Sequence, residues 1–333
     1  MHKLILIGTS AGGLHAMTSI TSTLPANFPA TILIVMHIGA RRSVLPEILQ
    51  KLCPLPISHA QDGDLLAPGR VLVAPPDYHL TVENDEGRPV ARLWHGPKEN
   101  YTRPAIDPLF RSAAAAFDIN VIGVILTGYL DDGTAGLYAV KARGGYAIVQ
   151  DPQEAQAPDM PASAVNHVTV DQVLPIQEIA PALVALAGAQ SASRIEAPPQ
   201  EDNAMVSEWI RVENRFVKGE ASMQDLQRIG VPSGYTCPEC SGALWKISGA
   251  VPPRFRCHTG HSFSSRVLSE FQDRALEEAL WSALRALQEK VRMEQELVQL
   301  ASDSSDVESE RHHRERAEKL LADIATLREL LSK

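Results

Sequence analysis

Aromatic side chains make up only 5% of the 333 residues, against 44% hydrophobic residues overall. Any core must therefore be built from Leu, Ile, Val and Ala rather than from rings. Cysteine is also rare. Of four, three fall within residues 237–257 and Cys53 stands alone. That excludes a disulfide framework spread over a secreted fold and points to a metal cluster. No apolar run reaches the length that spans a bilayer. The opening run Leu4–Ile7 stops at Gly8, too short for a signal-peptide core. Basic charge is not in excess: 31 Lys and Arg against 40 Asp and Glu leave a net −9, which does not suit nucleic acid. A cytoplasmic protein is expected, not inserted in a membrane and without a nucleic-acid partner.

What is present in the first half is an alternation. Short, wholly apolar runs at 3–7, 31–36, 121–126 and 146–150 suit strands buried on both faces. Helix-like segments at 13–23, 43–52, 107–117 and 134–143 lie between them. This predicts an α/β fold with a doubly wound, mostly parallel sheet. The stretch 68–95 differs: two strand-like pieces flank the turn-prone Asn84–Gly87, which predicts an antiparallel hairpin. Residues 188–203 lose periodicity and gain Ser, Ala, Pro and charge, as a linker does. A short helix is expected at 204–218.

Gly8-Thr9-Ser10-Ala11-Gly12 follows the first strand and opens a helix. The G-x-S-x-G pattern describes a sharp turn that lifts a serine clear of a sheet, with backbone N–H groups of the helix start beside it. Ser10 has three readings: a helix cap, a phosphate or dinucleotide loop, or a nucleophile. The dinucleotide fingerprint is broken, because Ser10 replaces its middle glycine and the second strand ends in His37 where an acid is needed. Ser10 alone does not separate the other two readings. His37, however, sits at the carboxyl end of the second strand, on the edge where open α/β sheets bind ligands. The strand at 121–126 ends in Thr127-Gly-Tyr-Leu-Asp-Asp-Gly133, which brings Asp131 and Asp132 to the same edge. Nucleophile, base and orienting acid are what a hydrolase array needs. The chain order Ser, His, Asp differs from that of the α/β-hydrolases.

Residues 1–187 resemble the catalytic domain of the CheB-type chemotaxis methylesterases. The matching segments are Ile7–Gly13, Val35–His37, Val73–Leu80, Arg103–Ala113, Val124–Gly136, Gly144–Gln150 and Asp151–Ala164. The resemblance implies Ser10 as nucleophile, His37 as base and Asp132 as orienting acid, since Asp132 holds the position before the glycine. The family loop usually reads T-G-M-G-x-D-G, and here Tyr129 and Leu130 replace Met and Gly. The resemblance places position 129 at the oxyanion site, together with the backbone of Ala11. The implied reaction is hydrolysis of glutamate γ-methyl esters on a methyl-accepting receptor protein, with release of methanol, and also glutamine deamidation. No cofactor for catalysis is implied. The alternative is a CheB-like scaffold that binds within a signalling complex without turning over. The well-known members carry a receiver domain before the catalytic one, whereas this sequence opens on the first catalytic strand. Control by phosphorylation within the chain is not expected.

The second half carries Cys237-Pro-Glu-Cys240 and Cys257-His258-Thr-Gly-His261. A C-x-x-C knuckle followed by a second ligand pair suggests a zinc-ribbon-like module at 235–263, with Cys237, Cys240, Cys257 and His261 as ligands of a structural zinc. His261 is preferred to His258 because its spacing leaves room to close a turn. Beyond 264, apolar residues recur at helical spacing (Leu276, Leu280, Leu284, Leu287, Val291) and, after Ser302–Ser305, again (Ala317, Leu320, Ile324, Leu327, Leu331). Two helices folded back as a hairpin, or pairing with another chain, are expected over 264–333. The mixed charge on them reads as a solvated face; docking to a helical partner is the functional alternative. The expected organisation is thus a catalytic domain at 1–187, a linker with a short helix at 188–234, the metal module and the helical tail.

Overall fold

The computed structural model describes residues 2–189 and 202–332; most of the expected linker at 188–203 lies outside them. Nine strands precede that gap: β1 (Lys3–Thr9), β2 (Ala30–Met36), β3 (Ile57–His59), β4 (Arg70–Val73), β5 (His79–Asp85), β6 (Arg88–Trp94), β7 (Val121–Ile125), β8 (Tyr146–Gln150) and β9 (Gln172–Leu174). Seven of them form one sheet in the order β3-β4-β2-β1-β7-β8-β9, and every pairing in it is parallel. The runs read as buried strands are its centre. Ile5, Ile7, Ile32, Ile34, Val124 and Ile148 belong to an apolar cluster on one face, and Leu4, Leu6, Leu33, Val35, Val121 and Val149 to a cluster on the other. Alternate residues of one strand feed opposite faces, which is why these runs are apolar throughout rather than alternating.

Six helices accompany these strands: α1 (Gly13–Thr21), α2 (Leu45–Gln50), α3 (Ile106–Phe117), α4 (Thr134–Ala142), α5 (Asp159–His167) and α6 (Ile176–Gly188). The hairpin expected within 68–95 forms from β5 and β6, with Asp85 opposite Arg88 across the turn at Glu86–Gly87. The first piece of that stretch, β4, instead joins the parallel sheet beside β2. The sheet reverses its direction of growth between β1 and β7, and β1 lies between β2 and β7 with Thr9 beside Met36 and Gly8 beside Ile125. The carboxyl ends of these three strands therefore lie side by side at the switch point, where such sheets place their sites.

Two more helices, α7 (Asp202–Lys218) and α8 (Met223–Ile229), lead to a second sheet. It contains β10 (Gly230–Thr236), β11 (Ala243–Ile247), β12 (Arg254–Cys257) and β13 (Ser262–Ser264), antiparallel and in sequence order. The chain ends in α9 (Ser265–Asp303) and α10 (Val307–Leu331). It divides into two compact units, Met1–Val267 and Leu268–Lys333. The cysteine-bearing sheet is thus part of the first unit, not a module set apart by a linker. The reason is burial: Trp209, Ile210, Val212 and Phe216 of α7, and Leu226 of α8, join the same apolar cluster as α3. In the second unit Leu284, Leu287 and Val291 of α9 pack with Leu320, Ile324, Leu327 and Leu331 of α10. This is the expected hairpin seam, although Leu276 is 61% exposed and outside it. Among the described residues no helix is long and apolar enough to cross a membrane.

Candidate active site

Ser10 stands on the turn between β1 and α1. Its N–H donates to Thr127 O at 2.9 Å, tying the elbow to the end of β7. The helix begins through Gly12, whose φ of 78° is left-handed; a Cβ there would meet the Gln156 side chain at 2.7 Å. Glycine is needed on both counts. His37 follows β2, and its N–H donates to Thr9 O at 3.3 Å. That bond holds the imidazole beside the serine: His37 Nδ1 is 3.2 Å from Ser10 Oγ. His37 Nε2 lies 2.7 Å from Asp132 Oδ2. The structure thus joins Ser10, His37 and Asp132 in one hydrogen-bonded line. The ring presents Nδ1 to the serine and Nε2 to the acid, the reverse of the chymotrypsin arrangement.

Asp132 is 2% exposed. Its Oδ2 also accepts the Ile106 N–H at 2.7 Å, and its Oδ1 accepts the Asp107 N–H at 3.4 Å and Asn100 Nδ2 at 2.9 Å. The first N–H groups of α3 have no partner within the helix, so the carboxylate caps it and gains from its dipole. Burial alone would raise the Asp132 pKa. The hydrogen bond and charge of His37, with the bonds from Ile106 and Asn100, outweigh burial and bring it down to about 2. The acid is therefore a carboxylate wherever a histidine can act as base.

The neighbouring Asp131 faces the other way and accepts Ser264 Oγ at 2.6 Å, while burial pushes its pKa up. The structure thus separates two adjacent aspartates by environment. Tyr129 is 64% exposed. It follows Gly128, where a Cβ would lie 2.9 Å from Ser10 Cβ, so the Tyr129 loop adjoins the serine while the phenol reaches outward. Beside Ser10 opens a cleft of about 430 Å³ lined by Gly12, Gly13, Leu14, His15, Met36 and Gln156.

Sequence reasoning missed the residues behind the acid. Asn100 has a φ of 50°, a conformation that Asn tolerates better than most side chains. It sits in an aperiodic loop three residues before the quoted Arg103–Ala113 segment, and only that proximity could have marked it. His79 is fully buried: Ala105 N–H donates to its Nδ1 at 3.3 Å, and its Nε2 meets Pro97 O at 2.9 Å. Burial lowers its pKa to about 4, so the ring is neutral and its tautomer is set by these two partners. Behind α3 lies a charged cluster whose members are all 1% exposed or less: Glu99, Asp107, Arg111, Glu213, Arg254 and Arg256. Glu99 binds Arg111 and Arg256 at 2.8 Å each and Arg254 at 2.9 Å. Arg256 also binds Glu213 at 2.7 Å, and Arg254 reaches Asp107. Three guanidiniums face three carboxyl groups: at Glu99 and Glu213 burial is outweighed by the arginine charges, which hold both below the ordinary range, whereas burial raises Asp107 to about 7.

The cysteine cluster assembles on the small sheet. Cys237 and Cys240 lie on the turn from β10 to β11, and Cys257 and His261 on the turn from β12 to β13. One ligand atom from each falls within 4.8 Å of the others. His261, not the exposed His258, is the histidine in this group.

An open parallel sheet with a Ser–His–Asp line at its switch point defines the class: an α/β protein built as a serine hydrolase is built. The chain belongs to the CheB methylesterase family, whose model matches residues 5–183. A putative protein-glutamate methylesterase/protein-glutamine glutaminase of Leptospira interrogans (serovar copenhageni) is 43% identical over 186 residues, 56% of this chain and 95% of the relative. The protein-glutamate methylesterase/protein-glutamine glutaminase of Bdellovibrio bacteriovorus is 38% identical over 181 residues, 54% of this chain but 51% of the relative. The crystal structure of the Thermotoga maritima CheB methylesterase catalytic domain matches with a TM-score of 0.55 and 35% identity, covering 56% of this chain and 99% of that one. The small sheet and the helical hairpin lie beyond the segment matched by the family model.

Proposed function

We propose that this protein hydrolyses the γ-methyl esters of glutamate side chains on a methyl-accepting receptor protein, and that the same site deamidates glutamine side chains. The observation that carries the reading is the continuous line Ser10 Oγ, His37 and Asp132 Oδ2, with contacts of 3.2 and 2.7 Å. Ser10 Oγ attacks the ester carbonyl while His37 Nδ1 takes its proton. Asp132 holds the ring and stabilises the imidazolium that forms. The tetrahedral oxyanion is met by backbone N–H at the elbow, Ala11 being the nearest donor in sequence. His37 returns the proton to the leaving methoxide, methanol departs, and water attacks the acyl-serine by the same route to give the glutamate. With a glutamine, ammonia leaves in place of methanol. The open cleft beside Ser10 suits a side chain presented by a protein surface. A cytoplasmic site of action accords with such a substrate.

The test is methanol release from a methyl-esterified receptor by the purified protein. Ser10→Ala should keep the fold and lower turnover by about 10⁴-fold or more, since array members act as a unit. Turnover that survives in Ser10→Ala would exclude this mechanism.

A further inference from the structure

Two observations outside the Ser–His–Asp line meet at one short strand. The first is the ligand geometry of the cysteine cluster. A zinc ion bound tetrahedrally at about 2.3 Å from sulfur and about 2.0–2.1 Å from nitrogen sets its ligand atoms roughly 3.6–3.8 Å apart. Cys240 Sγ and Cys257 Sγ are 3.7 Å apart. Cys237 Sγ and Cys257 Sγ each lie 3.7 Å from His261 Nδ1. The knuckle backbone is closed in the matching way, with Ser241 N–H on Cys237 O and Gly260 N–H on Cys257 O. Four protein ligands leave no open position, so the site suits a structural metal.

The second observation is where the chain goes after His261. The next three residues are β13, and they grip Asn100 from both sides. Asn100 N–H donates to Ser262 O at 2.7 Å, and Ser264 N–H donates to Asn100 Oδ1 at 3.0 Å. A backbone N–H can only donate, so it fixes which end of the amide is oxygen. The amide nitrogen must then face the carboxylates, and it donates to Asp132 Oδ1 at 2.9 Å and Asp107 Oδ2 at 3.1 Å. Ser264 Oγ holds Asp131 in the same step.

We infer that Cys237, Cys240, Cys257 and His261 hold one zinc ion, and that this metal, by fixing β13, makes Asn100 a positioning residue for the triad acid Asp132. The small sheet is in this sense the outer wall of the active site. A four-stranded sheet of this size buries little apolar area of its own, so the metal supplies the rigidity that the Asn100 contacts need. The inference rests on the hydrolase reading of Ser10, but not on the receptor substrate.

The experiment uses the full chain and three readouts: zinc per chain by elemental analysis, the rate of Ser10 labelling by a fluorophosphonate, and kcat and KM for ester hydrolysis. Labelling needs only an activated serine, so it still reports if the receptor is the wrong substrate. Wild type should carry about one zinc. Cys240→Ser should lose it and label Ser10 at least tenfold more slowly. Asn100→Gly suits the left-handed backbone and removes the side chain with its amide; it should keep its zinc, lower labelling and kcat by about 10- to 100-fold, as loss of an orienting group does, and leave KM unchanged. Zinc absent from wild type, or retained in Cys240→Ser, overturns the metal site. Wild-type labelling in zinc-free Cys240→Ser, or in Asn100→Gly, overturns the coupling. Should Cys240→Ser fail to fold, labelling of wild type before and after a chelator removes its zinc decides the coupling, and unchanged labelling after zinc loss overturns it.

Discussion

The two sheets of the first unit are stabilised by opposite means. The seven-stranded sheet is covered on both faces by Leu, Ile, Val and Ala, and each fully buried Leu, Ile or Val is worth roughly 1.5–3 kcal/mol. The four-stranded sheet buries Leu244, Ile247 and Phe263 but also turns Arg254, Arg256, Ser262 and Ser264 inward, these four all 1% exposed or less. Apolar burial is non-directional and tolerates small shifts. Charged and hydrogen-bonded contacts are satisfied in one geometry only, and a half-satisfied set is costly. The large sheet therefore supplies stability, and the small one supplies orientation to Asn100, which contacts Asp107 at the start of α3 and Asp132 in the loop after β7. The protein places its least forgiving contacts next to its catalytic acid.

The sharpest probe of that difference is the pair Asp131 and Asp132, adjacent on the loop after β7: Asp132 holds His37, and Asp131 accepts from Ser264 of the small sheet. Asp132→Asn removes the group that holds His37 and should lower esterase turnover by about 10⁴-fold, the loss seen when a serine hydrolase loses its orienting carboxylate. Asp131→Asn keeps an oxygen that can accept from Ser264 Oγ, and its effect should stay within about tenfold, a difference of roughly 1.4 kcal/mol. Equal losses in the two variants would show that the Asp131–Ser264 contact is as close to the chemistry as the triad itself.

Arg254→Met tests the docking of the small sheet. Methionine fills much of the volume but leaves Glu99, Asp107 and Glu213 facing only Arg111 and Arg256. Asp107 loses the guanidinium it is bonded to, and Glu99 and Glu213 each lose one of theirs; breaking buried pairs of this kind should cost about 3–5 kcal/mol. Urea unfolding followed by Trp fluorescence would measure it. Stability equal to wild type would mean that α7, α8 and the small sheet are held by apolar contact, and the contrast between the sheets would fall.

The same contrast explains what could be read in advance. The central strands were legible because burial on both faces writes a continuous apolar run, and the Ser–His–Asp line because all three residues follow such runs. The strands β3 and β9 span three residues each, too short to show a period. The charged cluster had no local signature at all: Glu99 and Arg256 are separated by 157 positions, and isolated Glu and Arg in a sequence read as surface. The grouping of Cys237, Cys240, Cys257 and His261 was legible by spacing, but the membership of their sheet in the first unit was not, because both the apolar contacts of α7 and α8 and the charged cluster are non-local. Leu276 continues the helical spacing of the seam yet is exposed, since that spacing runs past the point where α10 covers α9.

A probe that depends on pH concerns the buried histidine of the larger region. In the folded chain burial holds His79 at about 4, against 6.5 in the unfolded chain. As pH falls below about 6.5 the unfolded chain takes up a proton that the folded chain refuses, so stability is lost between about pH 6.5 and 4 and levels off below. The full span of that shift corresponds to about 3 kcal/mol. His79→Gln can still donate to Pro97 O and accept from Ala105 N–H, but it does not titrate. Carboxyl groups contribute nearly equally to both chains and cancel in the difference. Urea midpoints of the two proteins from pH 7.5 to 4 should therefore converge, or cross, as wild type loses its advantage on acidification. A stability gap that stays constant over that range would mean that His79 takes up a proton as readily in the folded chain as in the unfolded one, and that burial does not exclude charge from the ring behind Ala105.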